Sequence, residues 1–366
     1  DTPRLAAARF HSTEDDILKI IGRQQMWSRP LPGAIPQLCL WSLIYPEDQT
    51  MYEFKITGTL AFLRYLLLFQ LLIFPIGCST APKPVGPHDV SVALPSYELG
   101  TTYVYSDGSW ETVADISPQL VTWHDHRGNV YNRFPDFTYR SAKWKTRTRH
   151  GTRQFVPRSD VLFKKKTSLW PLREGNVSGF SEMVTSNNPG EPPKSYRVNW
   201  TCEVIGTDRV AVMAGQFDTW EIACKRYDNS KNPSKARVKE TRIWNYAPEI
   251  EHFVITERRY SGRKSARRLE LLAVLPPLSR LPDVTRQQMD SAFQMALELK
   301  KSGETVAWSI PDTSWSGQIT PTDTFRLADG RYSRRYIQKL NHPDGQRIYH
   351  GLAVRDSKGV WVIPRR

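Results

Sequence analysis

From about residue 97 the chain alternates short runs of β-branched and aromatic residues with turn residues. "TTYVY" gives way to "SDGS" and "LVTWHD" to "HRGN"; "DRVAVMAG", "ETRIWNYAPE" and "EHFVITERRYS" continue the series, and "RLELLAVLP" closes it before a double proline. Period-two runs bounded by Gly, Asn, Asp and Ser read as strands and hairpin turns. Many short strands with no helical period predict a β-sandwich or barrel-like domain over 97–275. Residues 276–290, "PPLSRLPDVTRQQMD", read as a linker that runs into a helix. In "TRQQMDSAFQMALELKKSGE" the positions Met289, Phe293, Ala296 and Leu297 share one face, and Gly303 stands just past the end. "TVAWSI", "SGQITPTDTFRL", "YSRRYIQKL", "QRIYHGLAVRD" and "VWVIP" then predict an antiparallel meander. The fold class is therefore mainly β with a small α+β C-terminal domain, 291–366, made of a helix plus a meander.

The run Tyr65–Ile76 breaks this pattern. It holds twelve residues, all apolar apart from Tyr65 and Gln70, and Lys55 and Arg64 precede it. A spanning helix needs about 20 apolar residues, whereas the apolar core of a secretory signal takes about 7–15. A buried core helix is the other reading, but it would show polar residues at a 3.6 period. The segment ends "FPIGCST". Ser79 and Ala81 offer an ordinary cleavage site, which Pro82 disfavours. Ile76-Gly77-Cys78 resembles the lipobox of bacterial lipoproteins, in which a small residue precedes the cysteine that is acylated; Pro75 stands where Leu is usual. The resemblance implies lipidation at Cys78, with outer-membrane lipid as the partner. Ser79, rather than Asp, after the cysteine implies sorting to the outer membrane.

On that reading residues 51–77, beginning at Met51, form a lipoprotein signal peptide. Residues 1–50, with Cys39, read as an upstream leader without a clear domain; the alternative is a cytoplasmic extension, with 65–76 as an internal anchor. Residues 78–96, rich in Pro and small residues, read as a tether.

Charge changes the picture in the exported part. The net charge is +14 over 366 residues. The leader carries −1 and the signal segment +1, so the excess lies on 78–366. A basic envelope protein favours acidic partners such as anionic lipid or lipopolysaccharide, and export disfavours nucleic acid. The stretch 139–173 has eleven Lys/Arg against Asp160 alone, with Trp144, Phe155, Phe163 and Trp170 interleaved. It reads as a solvated strand face or as an anionic-surface site, for which Arg147, Arg149, Lys164, Lys165 and Lys166 are the candidates. A cytoplasmic nucleic-acid binder using this stretch would require the apolar run to be core.

Candidate chemistry is sparse. Cys202 and Cys224 lie in strand-like runs and pair readily in an oxidising compartment. His124 and His126 at i, i+2 have no evident third ligand, so no metal and no cofactor are expected. No nucleophile elbow, HExxH, Walker A or GxGxxG motif occurs. An envelope hydrolase remains as an alternative if Glu249, Glu251 and His252 share a pocket; the expectation is a non-enzyme with a structural or binding role.

Two resemblances complete the reading. "SLWPLREGN", "AGQFDTWEIAC" and "IWNYAPEIEHFVITERR" resemble uncharacterised proteobacterial periplasmic β-domains. The C-terminal order Ala296-Leu297-Glu298, Val306, Trp308, Ser316-Gly317, Thr320-Pro321, Asp329-Gly330, Tyr332, Arg334, Tyr336, Gly351, Ala353, Arg355, Gly359, Trp361 resembles the rickettsial-type seventeen-kilodalton surface antigens. That resemblance implies an outer-membrane lipoprotein without enzymatic activity. Ser333 and Val354 occupy the family's two cysteine positions, which implies that one cross-strand disulfide has been lost.

Overall fold

A computed structural model describes residues 91–157, 168–228 and 236–366. The proposed leader, signal segment and most of the tether lie outside the described residues. The protein is mainly β, with 55% of the described residues in strands and 9% helical.

Twelve antiparallel strands follow one another around a closed barrel. They are Thr102–Tyr105 (β1), Trp110–Ile116 (β2), Val121–Asp125 (β3), Val130–Arg133 (β4), Lys143–Lys145 (β5) and His150–Pro157 (β6), then Val177–Asn187 (β7), Lys194–Val212 (β8), Gly215–Tyr227 (β9), Val238–Ala247 (β10), His252–Tyr260 (β11) and Arg267–Leu275 (β12). Each pairs with the next. Closure comes from β1, whose Thr102 is in register with Thr112 of β2 on one side and Leu275 of β12 on the other. The sandwich-or-barrel expectation therefore resolves as a barrel, which leaves no open edge.

Alternation fixes what faces inward. On β9, Trp220, Ile222 and Cys224 are buried; on β8, Val198, Trp200, Cys202 and Val204 are. The positions between them carry Glu203, Glu221 and Lys225, on the outward face. A membrane-spanning barrel needs an apolar outward band; these strands present the reverse pattern.

After β12 comes the helix Asp283–Leu299 (α1), then Val306–Ser309 (β13), Ser316–Arg326 (β14), Tyr332–His342 (β15), Gly345–Arg355 (β16) and Trp361–Val362 (β17) in an antiparallel meander. Met289, Ala296 and Leu297 of α1 are buried on the face read from the sequence. Ala273 of β12 pairs with Gly351 of β16. One apolar core takes in Trp123, Phe217 and Leu271 of the barrel together with Met289, Trp308 and Leu340 of the C-terminal part. Each such side chain, fully withdrawn from water, contributes about 1.5–3 kcal/mol.

Candidate functional site: an arginine-lined barrel cavity

The loop after β4 does not stay outside the barrel. Phe137 packs 5.4 Å from the Tyr246 ring and 6.0 Å from Trp244, both inward-facing on β10, and Tyr139 lies 4.3 Å from Phe180 of β7. Above this plug a cavity of about 720 Å³ opens at the end where the β1–β2, β3–β4 and β11–β12 turns lie. That is within the range of small-molecule sites, about 300–1,000 Å³.

Its wall is unusual for a barrel interior. Eight arginines line it against three acids, Asp107, Glu111 and Asp125. The cations come from inward positions that alternate with aromatic ones: Arg153 with Phe155 on β6, Arg242 with Trp244 on β10, and Arg133 with Tyr131 on β4. Their planar faces lie on rings. Arg153 sits 4.1 Å above Trp144 and Arg242 5.1 Å from Trp200.

Two of the buried carboxylates are well satisfied. Glu111 meets Arg133 at 2.8 Å and accepts from the Tyr105 hydroxyl at 2.8 Å. Burial opposes its ionisation, but Arg133 outweighs this and its pKa falls. Glu240, 1% exposed at its side chain, accepts from Arg226 at 2.9 Å, from Arg242 at 2.7 Å and from Arg258. Burial opposes ionisation here too, yet the arginines hold its pKa down to about 2. Glu182 on β7 differs. It is fully buried, neither oxygen has a hydrogen bond, and Arg153 Nε stands 3.8 Å away. The Trp200 indole faces it without reaching hydrogen-bond geometry. Burial raises its pKa.

Beneath the cavity, Tyr105 also meets His252 Nε2 at 3.0 Å. The single hydroxyl proton of Tyr105 goes to the Glu111 carboxylate, so Nε2 carries a proton and donates to the tyrosine oxygen. Nδ1 has no partner. Tyr97, Tyr103, Trp123 and Phe253 enclose the ring, and burial brings its pKa down to about 3.

The site residues read from the sequence fall in different places. Glu249 accepts from His350 at 2.9 Å, Glu251 pairs with Arg347 at 3.0 Å, and His252 is sealed in the core. None of the three lines the cavity. His124 is exposed on β3, whereas His126 lies at the cavity rim, where Arg127 Nε donates to its Nε2 at 3.2 Å. Cys202 and Cys224 are register partners on β8 and β9 and form a disulfide, with Cα atoms 4.0 Å apart. Arg147 and Arg149 are exposed at the β5–β6 turn; Cys78, Lys164, Lys165 and Lys166 lie outside the described residues. The basic stretch is thus divided. Arg140 and Arg153 line the cavity while Arg147 and Arg149 face solvent. Sequence reading missed the inward arginines, although their i, i+2 spacing from Phe155 and Trp244 was available.

The C-terminal motif residues hold structure. Arg334 donates to the Leu297 carbonyl at 2.6 Å and so closes the C-terminal end of α1. Arg355 makes two bonds to Glu298, at 3.0 and 2.9 Å, and Trp361 Nε1 donates to the same carboxylate at 2.8 Å. A Cβ on Gly317 would come within 2.8 Å of Trp308, and one on Gly351 within 2.6 Å of the Tyr336 hydroxyl. Gly330, at φ +86°, makes the β14–β15 turn. Ser333 and Val354 are register partners, both buried.

Residues 295–362 match the family model described as 17 kDa outer membrane surface antigen. The 17 kDa surface antigen of Rickettsia felis is 35% identical over 78 residues, 21% of this chain and 49% of that protein; its Rickettsia prowazekii counterpart is 33% identical over the same length. The chain therefore spans about half the length of the curated relatives it matches. Among solved structures, the hypothetical lipoprotein YmcC from Escherichia coli (K12) aligns with a TM-score of 0.30 at 8% identity, covering 47% of this chain and 82% of that one, too distant to carry an argument. In its C-terminal helix and meander, this chain is similar to the rickettsial 17 kDa surface antigens.

Proposed function

We propose that the protein is a lipid-tethered component of the cell envelope with a binding or structural role and no catalysis, held to the outer membrane through acylated Cys78 and facing the periplasm. Its barrel serves as a cup for a small ligand. The observation that carries the binding role is the cavity of about 720 Å³ with its excess of inward arginines. Charges in such number inside a barrel are costly to desolvate, and a bound counter-charge offsets that cost. The tether rests on the apolar run before Gly77-Cys78 and is supported by the similarity of the C-terminal part to an outer membrane surface antigen family.

Intact-mass analysis of the protein purified from envelopes tests the tether. A lipid-modified N-terminus at Cys78 is expected, and Cys78→Ala should move the protein out of the membrane fraction. Peptides from residues 1–50 in the mature protein would contradict it.

A second reading concerns the outer surface. Arg147 and Arg149 are exposed, as are Lys143 and Lys145 beside them. These residues present basic charge suited to lipopolysaccharide phosphates or anionic lipid, to which Lys164, Lys165 and Lys166 add by sequence, each cation contributing about 1 kcal/mol near such a surface. Replacing the five candidates by Ala should abolish binding to anionic vesicles at low salt; unchanged binding would leave the charge run as a solvated face.

A further inference from the structure

Three arginines from three elements act on the one poorly satisfied carboxyl of the barrel interior. Arg140 of the inserted loop, Arg153 of β6 and Arg242 of β10 all act electrostatically on Glu182. None closes a good ion pair with it. Arg153 Nε stays 3.8 Å off, with no hydrogen bond, while its terminal nitrogen donates to the Ser141 carbonyl at 2.8 Å. Arg242 turns its Nε to Glu240 instead. Arg140 makes no hydrogen bond or ion pair with any described residue. Burial, with repulsion from Arg140, lowers both Arg153 and Arg242 to about 10. This corner therefore holds more positive charge than the protein neutralises, at the wall of an accessible cavity.

The rest of the wall says what body accompanies the missing anion. Trp144, Phe137 and Trp244 line the cavity with ring surface, Tyr131, Asn129 and Asp125 form a hydrogen-bonded group of their own in its wall, and Arg140 adds a guanidinium with no hydrogen bond to any described residue. An acyl chain in this space would strip water from the Arg140 guanidinium without replacing it, at a cost. A polyhydroxylated ring meets both kinds of surface. We propose that the barrel cavity binds an anionic sugar, its carboxylate or phosphate held by Arg140, Arg153 and Arg242 and its ring lying on the aromatic wall. This rests on the reading of the barrel as a ligand cup. Guanidinium groups accept either anion in a two-pronged fashion, so the source of the charge is left to experiment.

Titrating the purified protein with glucuronate, glucose 1-phosphate, glucose and decanoate, with tryptophan fluorescence and Tm as readouts, tests this. At least one of the two anionic sugars should quench Trp144 and Trp244 and raise Tm, whereas glucose and decanoate should not. The tighter of the two anions identifies carboxylate or phosphate. Arg140→Gln removes a cation that holds no other group in place, so the fold should persist while anion affinity falls about tenfold. Glu182→Gln removes the competing carboxyl and should tighten binding. If glucose or decanoate binds as well as the anions, or Arg140→Gln changes nothing, the anionic-sugar assignment is overturned and the cup stands. If none of the four binds, the cup reading falls with it.

Discussion

The barrel interior and the C-terminal meander differ in how completely they satisfy their arginines. In the meander every motif arginine has a fixed protein acceptor: Arg334 the end of α1, Arg355 the Glu298 carboxylate shared with Trp361. In the barrel, Arg140 has no such acceptor and Arg153 reaches Glu182 only at 3.8 Å. The meander is also the part that matches the surface antigen family model, at 295–362. The matched residues there are small where backbones meet rings, and charged where a helix end or an indole needs a partner. Similarity in this protein thus tracks a scaffold, and the arginine-lined cavity is built mainly outside the matched region. A family resemblance read alone would leave the barrel cavity out of view.

The largest expected effect comes from Glu240, the barrel carboxylate that meets three arginines. Glu240→Gln leaves Arg226, Arg242 and Arg258 without their common anion, and breaking a buried pair from one side costs about 3–5 kcal/mol. Chemical denaturation measures it. Because the variant deepens the positive excess beside the cavity, phosphate buffer should rescue its Tm more than it raises that of the parent. Equal responses would argue that the cavity cations are not accessible to anions. The folded pKa of about 2 against an ordinary 4.5 also means that the stability Glu240 supplies is present above about pH 4.5 and is lost as pH falls toward 2.

Next is the disulfide. Cys202 and Cys224 are 22 residues apart, and reduction or a double Ser substitution should cost about 3 kcal/mol by the loop-closure argument. The bridge joins β8 to β9 on the barrel wall, so the loss should appear as earlier unfolding in the presence of reductant, followed by circular dichroism. Gly351→Ala probes the meander by the same measurement. The added Cβ would sit 2.6 Å from the Tyr336 hydroxyl and 2.9 Å from the Ala273 Cβ, and overpacking of this kind costs about 1–3 kcal/mol. Ligand binding in the barrel should survive it at temperatures where the variant is folded. A loss of anion binding at full folding would break the proposed division between scaffold and site.

Much of this architecture was legible from local pattern. The helix face holding Met289, Ala296 and Leu297, the five strands after it and the turn at Asp329-Gly330 all follow from spacing and turn chemistry. Barrel closure was not, because it depends on pairing Thr102 with Leu275, far apart in sequence, and nothing in either strand states its partner. The cavity was hidden for a different reason. Polar residues at alternate strand positions normally mark the solvent side, so the stretch holding Arg140, Arg147, Arg149 and Arg153 read as one basic face. The structure divides it because the loop carrying Arg140 folds into the barrel and because Arg153 shares its side of β6 with Phe155. An arginine two residues from an aromatic, repeated on β4, β6 and β10, was the only local sign that charge faces inward.

The smallest expected effect at neutral pH, and the sharpest test of the barrel interior, is His252→Phe. The ring is enclosed by four aromatic side chains, so phenylalanine fits the same space. What is lost is the bond from Nε2 to the Tyr105 oxygen, worth about 1 kcal/mol, while Tyr105 keeps its bond to Glu111. Acid reverses the order of the two proteins. Burial holds the folded histidine at a pKa of about 3 against an ordinary 6.5, since a proton on Nδ1 would find no acceptor. The unfolded chain takes up that proton below about pH 6.5 and the folded chain does not until about pH 3. The parent therefore loses stability as pH falls through this window, by up to about 1.4 kcal/mol per pH unit, and the phenylalanine variant is spared that part. Denaturant midpoints measured from pH 7 to pH 4 should start slightly lower for His252→Phe and cross above the parent near pH 6. Parallel curves would mean that His252 is hydrated in solution and that the cavity floor is open rather than sealed.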